Sequence, residues 1–327
     1  MTGRLVVIGD VLLDRDVLGV VQRLCPDAPA PVLDQHTQHE RAGGAGLAAT
    51  LAAGDGRSVH LVTAIGTDRA GDRVRSLLAE AGVGLTELPG AAATAEKIRM
   101  IADGRVLIRL DRGGGRTRRS NASCVDATNG PGSLSTRLRD VLASAEAVLV
   151  SDYGQGITRM HLVRDALIRI TARCPVVWDP HPRGSVPVPG VRLVTPNGAE
   201  LVGTVDAAGL AADPDQPPHH LTDPELSTVA DHADRVRRYW GCGAVAVTLG
   251  SRGALLLRAG TGPVLIQPPL PARGDTCGAG DRFASATAGA LADGSRIGQA
   301  VQAGVALATD FVADNVAGLS TRTGRSA

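Results

Sequence analysis

The sequence predicts an α/β fold: a mainly parallel sheet covered by helices on both faces. Short apolar runs of strand length recur at Leu5–Ile8, Val59–Ile65, Ala147–Val150, Val176–Trp178, Arg192–Thr195 and Ala244–Thr248. Segments with apolar residues at helical spacing separate them, and strands alternating with helices give parallel pairing with both faces covered. Aromatic residues make up only 2% of the chain, so the core must come from Val, Leu, Ile and Ala.

Taken in order, Leu5–Ile8 reads as a buried strand ended by Gly9-Asp10. Asp14 follows just past that end. Gly43 to Leu51 opens with glycines and becomes an Ala/Leu helix, with Gly43 and Gly44 placed for close backbone approach to a ligand. No strand is expected to run directly into that turn. From Arg69 to Gly82, Val74, Leu77, Leu78 and Ala81 fall on one helical face and Gly82 is placed to end the helix. Thr158 to Ala172 repeats the pattern with Leu162, Ala166 and Ile170. One segment breaks the rhythm. Lys97–Ala102, Asp103-Gly104 and Arg105–Leu110 read as a β-hairpin on a two-residue turn. Simple pairing puts Lys97, Arg99, Val106, Ile108 and Leu110 on one face and Ile98, Met100, Leu107, Arg105 and Arg109 on the other. Mixed faces suit a flap that covers a ligand on one side and meets a partner on the other. Residues 112–133 and 206–224 read as loops. The expectation is one domain over 1–327, with lid segments at about 15–40 and 88–112.

Composition excludes several classes. A net charge of +1 over 327 residues gives no footprint for nucleic acid. No apolar stretch is long enough to span a bilayer, and the N-terminal apolar run is too short for a signal peptide. Five cysteines without a C-x-x-C pair fit a reducing cytoplasm. Lys97 is the only lysine in the chain.

The chemistry concentrates in Gly274-Asp275-Thr276-Cys277-Gly278-Ala279-Gly280-Asp281, which runs into an Ala-rich helix. Glycine lets the backbone turn tightly, and the amides of a helix N-terminus form a socket for phosphate or developing negative charge. A carboxylate beside an anion socket makes sense if Asp281 takes the proton of a hydroxyl that attacks a phosphoryl group. The same residues would also serve as a plain helix cap. Asn197-x-x-Glu200 puts two polar side chains on one helical turn, either as ligands or as a cap.

The run Asp-Thr-x-Gly-Ala-Gly-Asp resembles the signature of the ribokinase (PfkB) family of sugar kinases. The resemblance implies a ribokinase-like three-layer sandwich with a small β lid. It makes Asp281 the catalytic base and Gly278, Ala279 and Gly280 the anion hole. Asp10, Asp14, Gly43 and Gly44 then hold the sugar. Asn197, Gly198, Ala199, Glu200, Thr248, Gly250, Gly253 and Asp275 fall on the ATP side, with Asn197 and Glu200 ordering Mg²⁺. A monovalent cation stays open. Leu47 stands where the family carries a sugar-binding Asn.

A narrower resemblance lies in Gly9–Arg15, Arg23–Val32, Lys97–Arg99, Leu107–Asp111 and Ser151–Tyr153, which look like the kinase domain that makes heptose 1,7-bisphosphate. It adds Lys97, Arg99, Arg109, Asp111 and Asp152 to the substrate side. Gln155 and His181 replace lysines of those kinases. The nucleotidyl-transferring domain of the bifunctional proteins is not expected here, leaving one step of ADP-heptose synthesis. The implied activity is ATP-dependent phosphorylation of the anomeric hydroxyl of D-glycero-D-manno-heptose 7-phosphate, by a cytoplasmic homodimer. Alternatives are a kinase of another sugar or sugar phosphate, and a non-catalytic sugar-phosphate-binding homologue.

Overall fold

Strand β1 (Leu5–Gly9) sets the layering, because its side chains alternate between two separate cores. Leu5 and Val7 enter one core and Val6 and Ile8 the other, all fully buried. A run apolar at every position is what a strand covered on both faces requires. The computed structural model describes residues 3–114, 133–211, 219 and 221–322, with side chains described as far as 314. The interiors of the loops expected at 112–133 and 206–224 therefore lie outside the described residues.

Beside β1, in parallel, lie β4 (Val59–Thr63) and β8 (Ala147–Ser151), and β5 (Gly84–Glu87) adds to β4. Beyond β8 come β9 (Val176–Asp179), β10 (Leu193–Val194) and β11 (Ala244–Thr248), still parallel. Two strands the sequence did not announce, β12 (Ala254–Arg258) and β13 (Thr261–Ile266), close the nine-stranded sheet as an antiparallel edge. One face is covered by α1 (Ala45–Gly54), α2 (Arg69–Glu80), α7 (Ala279–Ala292) and α8 (Ile297–Arg322). The other is covered by α3 (Leu134–Ala143), α4 (His161–Thr171), α5 (Gly198–Ala207) and α6 (Pro224–Trp240). The three layers are those of a ribokinase-like sandwich. In α2, Val74 and Leu78 are buried and Leu77 and Ala81 flank them, while Gly82 takes the left-handed φ of 70° that ends the helix.

A second sheet of four strands stands at the carboxyl end of β1, in the order β3 (Pro31–Gly44), β2 (Val11–Leu24), β6 (Ala95–Ala102) and β7 (Arg105–Arg112). It corrects three expectations. Asp14 lies within β2 and not in a loop after β1. β3 does run directly into α1 at Gly44, but as a strand of this second sheet, antiparallel to β2, so it forms no βαβ unit. The hairpin turns at Asp103 and Gly104 (φ 50° and 71°), the mirror-image turn that matches strand twist. Its register then shifts between Met100 and Ile101, so that Met100 pairs with Ile108 and Arg99 with Arg109. One extra residue in β7 flips every side chain beyond it to the other face. Arg109 therefore shares the face of Lys97 and Arg99, and Ile108 and Leu110 turn to the side of Ile98 and Met100.

Candidate active site

α7 begins at Ala279, with Gly278 before it at φ 93°. A Cβ on Gly278 would come within 2.8 Å of Leu47 Cδ2 and 3.3 Å of the Phe311 ring. Leu47, in the place of the sugar-binding Asn, thus packs against the glycine loop. At Gly280 a Cβ would meet nothing within 4 Å, so its backbone faces open space. The Ala279 amide donates to the Thr276 carbonyl at 3.0 Å, so the next amides of this first turn, which have no intrahelical partners, carry the positive end of the dipole.

Asp281 sits in that turn at 6% exposure. Burial pushes its carboxyl up to about 7, while the Tyr153 hydroxyl, 2.9 Å from Oδ1 and 2.8 Å from Oδ2, acts in the opposite direction. A carboxylate titrating near neutrality is matched to taking a proton from a sugar hydroxyl.

The second sheet brings Asp14 and Lys97 to this centre. Asp14 is buried, with Lys97 Nζ 3.7 Å from Oδ1 and Arg41 Nε 3.6 Å from Oδ2. Its Oδ1 is buried without a hydrogen-bond partner among the described residues, a vacancy that a ligand hydroxyl would satisfy. A Cβ on Gly43 would collide with Asp14 Oδ2 at 2.5 Å, and one on Gly44 with the Asp10 carbonyl at 2.6 Å, so both glycines admit close packing of the carboxylates' strands. Arg99 is nearly buried and bonds Asp16 Oδ1 (2.8 Å) and Cys277 Sγ (2.8 Å), which ties the second sheet to the glycine loop. Arg109 and Asp111 are exposed and paired with each other at 2.7 Å.

Two further expected ligands are engaged with the loop after β8. Asp10 accepts the backbone amides of Tyr153, Gln155 and Ile157 at 2.9–3.2 Å. Asp152 accepts from Gly154 N, Thr158 Oγ1 and Ser185 N at 2.7–2.9 Å. Both are 2% exposed and order the loop that carries Tyr153, and Asp152 also lines the cleft that holds Asp281.

The ATP-side candidates gather at the carboxyl ends of β9, β10 and β11. One cleft is lined by Asp179, Glu200, Thr248, Gly278, Gly280 and Asp281. An adjoining one, sharing Thr248 and Gly280, is walled by Gly250, Gly253, Phe283, Val305 and Val312. Asn197 and Glu200 form a reciprocal capping box, with Asn197 N donating to Glu200 Oε2 at 2.8 Å and Asn197 Oδ1 accepting from Glu200 N at 2.9 Å. Asn197 thereby caps α5, whose first residues are Gly198 and Ala199, and both Asn197 and Glu200 line the cleft. Asp275 caps the loop by accepting from Cys277 N. Burial raises Glu200 and, together with the charge of Asp281, raises Asp179 well above the usual carboxylate range. Mutually repelling carboxylates in one cleft fit a divalent cation. Among the described residues no group of three or more His, Cys, Asp or Glu side chains could hold a metal ion. Tyr153, Asp179 and Arg41 were missed; Tyr153 stood inside the quoted Ser-Asp-Tyr run, whereas nothing local marked the other two.

Residues 2–115 and 135–320 match the pfkB family carbohydrate kinases. The chain belongs to that family. It is thus a sugar kinase, a phosphotransferase with an alcohol acceptor, and the family implies ATP and a divalent metal. The chain is 48% identical over 309 residues to bifunctional protein HldE of Streptomyces coelicolor, covering 94% of this chain and 60% of that one. To bifunctional protein HldE of Caulobacter vibrioides it is 32% identical, covering 90% and 57%. It therefore spans less than two thirds of these relatives. Among solved structures it is similar to ribokinase from Thermotoga maritima (TM-score 0.64, 19% identity, 96% of this chain and 93% of that one). Arabidopsis thaliana ribokinase complexed with ribose and ATP is equally similar (TM-score 0.64, 22% identity, 95% and 93%). No described helix is long and apolar enough to cross a membrane.

Proposed function

We propose that the protein transfers the γ-phosphoryl group of ATP to the anomeric hydroxyl of D-glycero-D-manno-heptose 7-phosphate, giving heptose 1,7-bisphosphate for ADP-heptose-type synthesis in the cytoplasm. One observation carries this reading: a buried carboxylate, Asp281, raised to about 7 at the mouth of a helix N-terminus where Gly280 faces open space. Asp281 accepts the proton of the attacking hydroxyl. The amides of the Gly278–Gly280 turn, Gly280 foremost because the Ala279 amide is bound to the Thr276 carbonyl, receive the charge that develops on the phosphoryl oxygens. Asp14 holds a sugar hydroxyl through Oδ1, which lacks a hydrogen bond among the described residues. Thr248, Gly250 and Gly253 border the nucleotide, with the apolar wall of Phe283, Val305 and Val312 suited to its base.

Glu200 and Asp179 would hold Mg²⁺, largely through water, and the ion would neutralise the phosphates. The second sheet acts as a lid, bringing Lys97, Arg99 and Arg109 over the sugar on one face. Its other face, with Ile108 and Leu110 exposed on β7, meets a second copy in a homodimer. The match to heptose kinase sequences supports the heptose, and the cations on the lid support a phosphorylated sugar.

Leu47, Gln155 and His181 favour a second reading, a kinase of a different sugar phosphate. ADP release against a panel of sugars and sugar phosphates separates the two. The expected result is a kcat/KM for heptose 7-phosphate at least about tenfold above every other acceptor, a margin of about 1.4 kcal/mol. A better acceptor on the panel would replace the heptose. Nucleotide binding without turnover of any sugar would leave a non-catalytic binding protein.

A further inference from the structure

Tyr153 has no task in the reaction as described so far, yet its placement is tightly specified. Its backbone amide donates to Asp10, and the amides of Gln155 and Ile157 are bound to the same carboxylate. Its ring lies against Gly44, where a Cβ would come within 3.2 Å of Cδ2. The His181 ring stacks on it at 6.0 Å between centroids, and Lys97 Nζ stands 6.0 Å from the ring centre. All of this directs one hydroxyl to both oxygens of Asp281, at 2.9 and 2.8 Å. Burial and the charge of Asp281 hold the phenol well above its ordinary pKa, so it is the donor in this contact.

We infer that Tyr153 is the positioning residue of the catalytic base: its hydroxyl holds the Asp281 carboxylate ionised toward the cleft and yields one oxygen to the sugar's acceptor hydroxyl. This rests on the reading of Asp281 as general base. In the transfer step the sugar O–H bond breaks and its proton passes to the freed oxygen of Asp281. The new O–P bond forms as the bond between the phosphoryl group and the leaving ADP breaks, and the Tyr153 proton stays on the phenol. Other charges also face Asp281. Lys97 from β6 and Arg41 from β3 act in the same direction as Tyr153, and Asp14 from β2 acts against it. Asp179 from β9 is a further carboxylate that feels its charge.

The test is Tyr153→Phe in the full chain, which keeps the ring and its stacking and removes the donor. The acid limb of the kcat profile should move up by about one pH unit, because the base loses a bond to its charged form. At pH 9 kcat should stay within about threefold of the parent, and KM for ATP should not change. An unmoved limb, or an equal fractional loss at every pH, overturns the inference. A second measurement covers a variant that folds poorly. The chain has only two tyrosines, so 3-fluorotyrosine in a Tyr239→Phe background labels Tyr153 alone. The more acidic phenol should move the limb down, and its ¹⁹F resonance should titrate near pH 7. Asp281→Asn should abolish that titration, and a resonance indifferent to this change also overturns the inference. Near-parental turnover of Asp281→Asn would instead remove the base assignment itself, and this inference with it.

Discussion

At the residue scale, the account turns on carboxylates that look alike in sequence and differ in environment. Asp10, Asp14, Asp152 and Asp281 are all buried, but only Asp14 has an oxygen without a hydrogen-bond partner among the described residues, and only Asp281 follows the glycine loop. The burial that tunes Asp281 has a cost. Its folded carboxyl titrates at about 7, above the ordinary value near 4, so the folded state binds the proton more tightly than the unfolded chain. Ionisation therefore weakens the fold progressively as pH rises from about 4 to 7. Asp281→Asn should raise Tm by about 5 °C at pH 8 and by much less at pH 5. Equal melting gains at both pH values would contradict the tuning by burial. Lys97, beside Asp14 and over Tyr153, is placed to meet an anionic sugar. Replacing Lys97 by Met keeps the stem and removes the charge. KM for heptose 7-phosphate should then rise about tenfold while that for ATP stays level, and a parallel rise in both would exclude a sugar-side role.

At the element scale, the parallel strands and α2 were legible because continuous apolar runs and helical spacing are local signals. β12 and β13 were not read as strands, and β2 and β3 were read only as a lid segment. Asp14-Arg15-Asp16 interrupts the apolar run of β2, β3 is polar from Asp34 to Arg41, and β6, the second partner of β2, lies far along the chain. The hairpin at residues 95–112 was found by its Asp-Gly turn, yet its faces were misread, because a bulge leaves no mark in composition. Roles at the site divided in the same way. The run ending at Asp281 is contiguous and could be read, whereas the closure of Asp10 and Asp152 by loop amides is tertiary. The bulge offers an element-scale test. Replacing Arg109 by Met removes the charge that the bulge brings to the face of Lys97 and Arg99. If Arg109 serves the distal phosphate, the sugar KM should rise at least about threefold with kcat preserved; an unchanged KM would assign Arg109 to a solvated flap.

At the scale of the whole molecule, the outer edge strand β7 leaves Ile108 56% and Leu110 45% exposed. Covering the remaining half of such side chains stabilises by about 1 kcal/mol each, and an open apolar edge invites pairing. Light scattering at micromolar concentration should find a dimer that Ile108→Glu converts to monomer; a fully active monomeric parent would refute the pairing. The central claim joins both clefts and the lid: Asp281 deprotonates the anomeric hydroxyl of heptose 7-phosphate for attack on ATP. The most direct measurement is ³¹P NMR of the reaction mixture with ATP, Mg²⁺ and heptose 7-phosphate, run with the parent chain and with Asp281→Asn. The account predicts a new anomeric phosphate signal beside the retained 7-phosphate. It also predicts that the variant forms this product roughly two to four powers of ten more slowly, with nucleotide affinity within a few-fold. A phosphate on any other carbon, or product formed at the parental rate by Asp281→Asn, would contradict it.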